Sequence, residues 1–304
     1  MARNLSPERQ AARAIKSISC LGTPRHGNRD DGKVHSLGTA RQYEQTFRTA
    51  STWLIDHHEV ALYHARLEQI CEYLETRSIH VGQKQLNSER RALEIFYREI
   101  RKDPEIALPR FESEISHTAR SRAYSDAQID LLDNRMTPRV ALSLRLANTA
   151  GLRASELYSL RRITERSPSS HRVWSDDRFK GLESWARYTV DGKGGLVREV
   201  RIPPDLAKEL ESKRLVEPKI IHDRGIRLES HYNVTGGRNF SNLFSRYAHQ
   251  HLGWSEGAHG LRHGYAQRRM DQLGDRGLSY TNALAIVSQE LGHFRPEITE
   301  VYLR

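Results

Sequence analysis

Hydrophobic residues recur at steps of three and four along much of the chain, a spacing typical of amphipathic helices. Three such stripes follow Gly38, and they are Ala40, Tyr43, Phe47, Ala50 and Leu54, then Leu67, Ile70, Cys71 and Leu74, then Leu86, Leu93, Phe96, Tyr97 and Ile100. They predict a helical domain over residues 37–115. Residues 1–36 mix basic residues with Gly, Pro and Asn and show little periodicity, so we expect a flexible basic arm there.

A second domain is predicted over residues 123–304, after a linker. Residues 102–122 contain two prolines and no sustained periodicity, as linkers often do. Ser125 begins a capping-box pattern, and Thr137-Pro138 is typical of a helix start. Gly151 is placed to end that helix, because glycine readily adopts the left-handed conformation found just past helix ends.

A β-hairpin is predicted between Trp185 and Ile202. β-branched and aromatic residues alternate there on both sides of the Gly-rich turn Asp191–Gly195. Helical spacing returns after Pro203 and is interrupted by a polar stretch at residues 223–238. The predicted fold class is mainly α with a small antiparallel β-sheet, in which a helical first domain is followed by a mixed second domain.

Charge indicates a polyanionic partner. The 304 residues include 48 Lys and Arg against 38 Asp and Glu, a net charge of +10. Cys20 and Cys71 are too few for a disulfide framework and lack metal-site spacing, which agrees with a reducing cytoplasm. No apolar run approaches the roughly 20 residues needed to cross a bilayer. We therefore expect a cytoplasmic protein that is not inserted in a membrane.

Five short motifs follow one another in the second domain. They are Ala150–Leu157, Asp191–Gly195, His259–His263, Leu291–His293 and Val301–Leu303. Their order resembles the tyrosine recombinase, or phage integrase, family over roughly residues 37–304. The resemblance implies a helical core-binding domain, a catalytic domain, and a site-specific recombinase that cuts and rejoins duplex DNA through a 3′-phosphotyrosyl intermediate.

Tyr302 is the predicted nucleophile. Cutting and rejoining DNA without a high-energy cofactor requires a covalent enzyme link that stores the phosphodiester energy, and a tyrosine hydroxyl can form one. Its ordinary pKa near 10 means that a base or a cationic pocket must assist. Arg153 and Arg262 fill the positions of the two arginines of the family, and guanidinium groups match the non-bridging phosphate oxygens with paired hydrogen bonds.

The histidines of the third and fourth motifs are predicted to surround the phosphate. On a helix, His259, Arg262 and His263 lie on one face. The resemblance implies that His259 is the general base or a phosphate donor, that His263 supports the site, and that His293 contacts the phosphate or the nucleophile. A zinc pair at His259 and His263 is not predicted, because neither the metalloprotease Glu nor a nearby Cys is present.

Two further residues have predicted roles. Lys193 in the hairpin turn would donate the proton to the departing 5′ oxygen, provided that nearby arginines lower its pKa. Glu156 would orient Arg153 or cap the local backbone. No cofactor and no metal are expected, because the arginines can supply the positive charge that metal ions otherwise bring.

The expected partner is double-stranded DNA. Proteins of this family usually act as homotetramers on two DNA sites, in some cases with accessory DNA-bending proteins, so a nucleoid-associated location is expected. Only two residues follow Tyr302; either the chain is cut short or assembly uses other surfaces, such as the helices between Tyr43 and Ile100. Two alternatives remain, a type IB topoisomerase-like DNA relaxing enzyme and a non-catalytic DNA-binding protein of the same fold.

Overall fold

The computed structural model describes residues 5–21, 32–116, 121–192 and 194–303, and the chain divides into two compact units, Met1–Thr118 and Ala119–Arg304. The first unit is helical. Its described elements are α1 (Pro7–Ile18), α2 (Leu37–His58), a short 3₁₀ helix (Leu62–His64), α3 (Leu67–His80) and α4 (Gln83–Glu99).

Helix α1 lies in the segment that was expected to be a flexible arm. The Ser6 hydroxyl accepts a hydrogen bond from the Arg9 amide at 3.4 Å and caps the helix. Ala11, Ala14 and Ile18 are buried in the core of the first unit. The expectation is therefore wrong for α1: its apolar residues recur at helical spacing, and the basic residues Arg9, Arg13 and Lys16 occupy the exposed face of an amphipathic helix. The remainder of the predicted arm falls partly on residues 1–4 and 22–31, outside the described residues.

Part of the predicted linker also belongs to the first unit. Ile106 and Leu108 are buried in the same core as Phe47 and Phe96, whose ring centroids are 5.5 Å apart. The Leu108 carbonyl accepts a hydrogen bond from Arg90 at 3.1 Å. The first unit thus continues beyond its last helix, because these two apolar side chains fill its core.

The second unit combines helices with two small sheets. Its described elements are α5 (Asp126–Arg135), α6 (Pro138–Ala150), a 3₁₀ helix (Glu156–Ser159), β1 (Arg161–Arg162), β2 (Ala186–Asp191), β3 (Val197–Ile202), α7 (Pro204–Ser212), β4 (Arg214–Asp223), β5 (Ile226–Tyr232), α8 (Gly237–Leu252), α9 (His259–Gly274), α10 (Tyr280–Glu290), α11 (Pro296–Glu300) and a 3₁₀ helix (Val301–Leu303). The predicted capping box at Ser125, the helix start at Pro138 and the left-handed Gly151 are confirmed. Each helix of the described ranges is too short or too polar to pass through a membrane.

The strands form two antiparallel sheets. The predicted hairpin is confirmed as β2 and β3, with Thr189 opposite Glu199, and β1 pairs with β2. A second sheet, β4 with β5, is not predicted from the sequence, because β4 falls in the segment after Pro203 where helical spacing was expected and β5 falls in the polar stretch. Apolar side chains of this hairpin such as Val216 are exposed, so no buried face marked it in the sequence.

Candidate active site

Tyr302 is held against helix α9 of its own chain. The Tyr302 side chain belongs to the 3₁₀ helix after α11 and is only 7% exposed. The Tyr302 carbonyl accepts a hydrogen bond from Gln267 Nε2 at 3.1 Å. The guanidinium carbon of Arg262 lies 5.9 Å from the centre of the Tyr302 ring. The predicted nucleophile and one predicted phosphate ligand are therefore neighbours.

Three imidazole rings surround the Tyr302 ring. The ring centroids of His263, His293 and His259 lie 4.5, 5.0 and 5.3 Å from that of Tyr302. Burial lowers the pKa of His259 and of His263 to about 4 and that of His293 to about 3, and nearby arginines add to the effect. All three rings are therefore neutral at pH 7.

The hydrogen bonds of His293 fix its tautomer. Arg262 Nη2 has no lone pair to offer and donates to His293 Nε2 at 3.2 Å. His293 Nδ1 therefore carries the proton and donates to Thr299 Oγ1 at 3.2 Å. Because Thr299 is in α11, this bond connects His293 to the segment that carries Tyr302.

Arg262 is completely buried beneath Tyr302. Its Nη1 donates to the Gly151 carbonyl at 2.5 Å, and its Nη2 also donates to the Leu291 carbonyl. Its Nε has no hydrogen-bond partner in the described part of the chain. Burial, with repulsion from Arg153, lowers the pKa of Arg262 to about 9, so the guanidinium keeps its charge at pH 7. A buried cation with an unpaired donor is suited to an anionic ligand.

Glu156 joins the two arginines of the site. Its Oε1 accepts from Arg153 Nη1 at 2.6 Å, its Oε2 accepts from the Arg153 amide at 2.8 Å, and Arg262 Nη1 lies 3.9 Å from Oε2. Arg153 is a quarter exposed, whereas Glu156 is buried. Arg153 can therefore contact a ligand that arrives from solvent, while the Glu156 carboxylate holds its guanidinium group in place.

Gly151 makes this arrangement possible. Its φ of +59° is costly for other residues, and a Cβ at this position would lie 2.6 Å from Cδ1 of the buried Tyr265 ring. Glycine thus allows the chain to turn sharply after α6, which places Arg153 and Glu156 beside α9.

Lys193 lies outside the described residues. Gly192, which precedes it in the chain, is next to the site, because a Cβ at Gly192 would be 3.5 Å from Glu156 Oε1 and 3.8 Å from Arg153 Nη1. The structure thus brings together seven of the eight residues named from sequence, which are Arg153, Glu156, His259, Arg262, His263, His293 and Tyr302.

Sequence reasoning missed Arg198, a buried residue of β3 that contacts Glu156. Its Nη2 donates to Glu156 Oε2 at 2.6 Å, and only 1% of the residue is exposed. A signal was present, because Arg198 shares the inward face of β3 with Val200 and Ile202, two positions apart each time. A charged residue at an inward position is costly without a partner.

Known structures with the same fold are DNA-bound recombinases and integrases. The chain is 15% identical to the Tn1549 transposon integrase in complex with transposon right end DNA, covering 99% of this chain and 95% of that one, with a TM-score of 0.58. It is 14% identical to the XerH site-specific recombinase bound to palindromic difH substrate in a post-cleavage complex (98% and 90% covered, TM-score 0.56). It is also 14% identical to lambda integrase, a tetramer bound to a Holliday junction (99% and 78% covered, TM-score 0.58). No protein-family model and no curated protein matches the chain.

Proposed function

We propose that this chain, whose fold is that of the tyrosine recombinases, is a site-specific DNA recombinase that cuts and rejoins duplex DNA through a 3′-phosphotyrosyl link at Tyr302. The observation that carries the proposal is the enclosure of the Tyr302 ring by three neutral imidazoles above the buried guanidinium of Arg262. That arrangement combines a nucleophile, a neutral imidazole that can act as base and fixed positive charge.

In the proposed cleavage step, the Tyr302 oxygen bonds to phosphorus while the bond from phosphorus to the 5′ oxygen breaks. The phenolic proton passes to His259, which is neutral in the free protein. The phosphodiester charge raises the pKa of that imidazole towards the range of an effective base. Lys193 is the proposed donor of the proton that the 5′ oxygen takes up.

Arg153 and Arg262 balance the negative charge that accumulates on the non-bridging phosphate oxygens. Arg262 offers its unpaired Nε, and Arg153 offers the donors that its bond to Glu156 leaves free. Because the protein already orients both groups, little reorganisation is needed during the reaction. A 5′ hydroxyl from a partner strand then reverses the step and completes strand exchange.

The decisive experiment measures covalent attachment to DNA. Purified protein is incubated with end-labelled, nicked duplex fragments from the genome of its own cell, and detergent-stable protein–DNA adducts are separated and sequenced. Wild type is expected to form adducts at recurring sites, and Tyr302→Phe to form none. The matched control is Tyr280→Phe, at a tyrosine that is 59% exposed at the start of α10, and it should behave as wild type.

The same assay separates the two alternatives. Adducts at arbitrary sequences, with relaxation of any supercoiled plasmid by the protein alone, would indicate a type IB topoisomerase. DNA binding without an adduct would indicate a non-catalytic DNA-binding protein. Joining of two duplexes that both carry the recovered site supports recombination.

The active assembly that we propose is a homotetramer on two DNA sites, by analogy with the lambda integrase tetramer. Light scattering of the protein with a duplex that carries its site should give a mass of four chains and two duplexes.

We also propose that accessory DNA-bending proteins influence the reaction, so adding such a protein should change the yield of joined product. A fluorescent fusion should coincide with the nucleoid.

A further inference from the structure

Arg198 is a buried charge of the second unit that the proposed chemistry leaves unused. It comes from β3, the strand that follows the hairpin turn of Lys193. Its Nη1 donates to the Glu290 carbonyl at 2.6 Å, and its Nη2 donates to Glu156 Oε2 at 2.6 Å and to the Gly151 carbonyl at 3.1 Å. A single guanidinium thus connects β3 to two segments that are far apart in the sequence, residues 151–156 and the end of α10.

Each acceptor of Arg198 adjoins a group of the candidate site. The Gly151 carbonyl also accepts from Arg262, and the Glu156 carboxylate also accepts from Arg153. The Glu290 carbonyl precedes the Leu291 carbonyl, to which Arg262 donates. Arg198 and Arg262 therefore bond to consecutive carbonyls at the end of α10, where the chain turns towards His293.

The alternatives for Arg198 are a structural ion pair and a direct phosphate ligand. Arg262 contacts the Tyr302 ring and His293, whereas the hydrogen bonds of Arg198 go to Glu156, Gly151 and Glu290, which places Arg198 behind the proposed phosphate ligands and disfavours direct contact with DNA. A purely structural pair would need one carboxylate, whereas this guanidinium bonds in addition to two main-chain carbonyls that flank site residues. A guanidinium can do this because its planar fork holds several donors in fixed directions.

We propose that Arg198 is a positioning residue for strand cleavage, which holds Glu156, Gly151 and the end of α10 so that Arg153, Arg262 and His293 meet the phosphate in the reactive arrangement. This inference rests on the proposed function. It predicts a defect in the chemical step at saturating DNA and not in DNA binding, because Arg198 is buried and bonds only to groups of the protein.

The test compares Arg198→Met and Arg198→Lys with wild type. Single-turnover adduct formation is measured at saturating protein on a duplex with the recovered site, and the Kd for the same duplex is measured separately. Arg198→Met should slow adduct formation about 100-fold and change the Kd less than threefold, a loss similar to that of other preorganised donors. Arg198→Lys should remain at least tenfold slow, because one ammonium cannot replace a fork that bonds to acceptors on both sides.

The matched control is Arg269→Met. Arg269 is also buried, and its bidentate pair with the Glu290 carboxylate touches neither Glu156 nor Gly151. Thermal unfolding identifies the temperature at which every variant is folded, and rates are compared there. Arg269→Met should lower the melting temperature but keep adduct formation within threefold of wild type.

A double-mutant cycle with Glu156→Gln provides a second readout. If Arg198 acts through Glu156, the two substitutions together should slow adduct formation much less than the product of their separate effects. Wild-type rates in Arg198→Met, full rescue by Arg198→Lys, or multiplicative effects in the cycle would each overturn the positioning role while leaving the proposed function intact. Absence of any wild-type adduct would instead overturn the proposed function, and the inference with it.

Discussion

Glu156→Gln tests the charge balance at the centre of the site. The carboxylate is completely buried and faces the guanidinium groups of Arg198, Arg262 and Arg153. Burial alone would raise its pKa, but the three cations outweigh burial and lower it from 4.5 to about 2. A tenfold change in acidity is worth about 1.4 kcal/mol. Ionised Glu156 therefore contributes about 3 kcal/mol to the free energy of unfolding at pH 7.

The sign of the pH dependence follows from the lowered pKa. The contribution of ionised Glu156 to the free energy of unfolding is complete well above pH 4.5, the pKa in the unfolded chain. It is lost as the pH falls towards about 2, the pKa in the folded protein. At pH 3.5 about 2 kcal/mol of it remains. Glu156→Gln also leaves three buried cations without their carboxylate, so the total loss at pH 7 should be about 3 to 5 kcal/mol. The difference in free energy of unfolding between wild type and Glu156→Gln should be about 1.4 kcal/mol smaller at pH 3.5 than at pH 7.

Urea denaturation at both pH values measures these differences, with tryptophan fluorescence as the signal and linear extrapolation to water. Glu217→Gln is the matched control, because Glu217 is exposed on β4 and its loss should change the free energy of unfolding by less than about 0.5 kcal/mol. Equal stability of Glu156→Gln and wild type at pH 7 would refute the reasoning. So would a difference that stays constant or widens as the pH falls.

Three further predictions concern neighbouring groups. Gly151→Ala should lower the free energy of unfolding by about 2 to 4 kcal/mol, because a Cβ would collide with a buried aromatic ring. Gly253→Ala is the control, also at positive φ but in open space, and it should lower the free energy of unfolding by about 1 kcal/mol. Equal losses of stability for the two variants in urea denaturation would contradict the predicted collision. Arg153→Ala and Arg262→Ala should each slow adduct formation at least about 100-fold while gel shifts show that DNA is still bound, and normal cleavage by either variant would exclude its proposed role. Adduct formation at subsaturating DNA should show no inflection between pH 8 and pH 6, because burial lowers the pKa of His259 to about 4; an inflection near 6.5 in the pH–rate profile would contradict a buried neutral imidazole.

Features determined by nearby residues could be predicted from the sequence. The start of α6 at Pro138 and its end at Gly151 follow from backbone preferences of the residues themselves. The β2–β3 hairpin follows from alternating side chains around a Gly-rich turn. The helical face that carries His259, Arg262 and His263 follows from the period of a helix.

Features that depend on distant residues could not be predicted in this way. The partner of Arg198 is Glu156, which precedes it by 42 positions, and no local pattern pairs the two. The contact between the Tyr302 ring and three imidazoles depends on how α9, α10 and α11 pack against one another. The order of the motifs suggested that these residues meet. The distances between them, their burial and the neutral state of the imidazoles could be learned only from the folded structure.

Helix α1 and the β4–β5 hairpin were missed for a different reason. Hydrophobic patterns detect elements that bury large apolar side chains. Ala11 and Ala14 are small, and the apolar residues of the hairpin such as Val216 and Ile220 face solvent. In α1 the apolar stripe is narrow and lies among basic residues, and in the hairpin few apolar residues are buried, although both elements are regular in the structure.

The oxygen on which Arg262 and Arg198 converge belongs to the main chain of Gly151. Mutation can delete a side-chain acceptor in one step, but every residue that replaces Gly151 still brings a carbonyl with it. A substitution at Gly151 therefore keeps the shared acceptor and weakens the contact only by displacing the backbone. The contact of both arginines with this carbonyl depends on the path of the backbone. A distant homologue that differs at most side chains could therefore still place a carbonyl oxygen at this position.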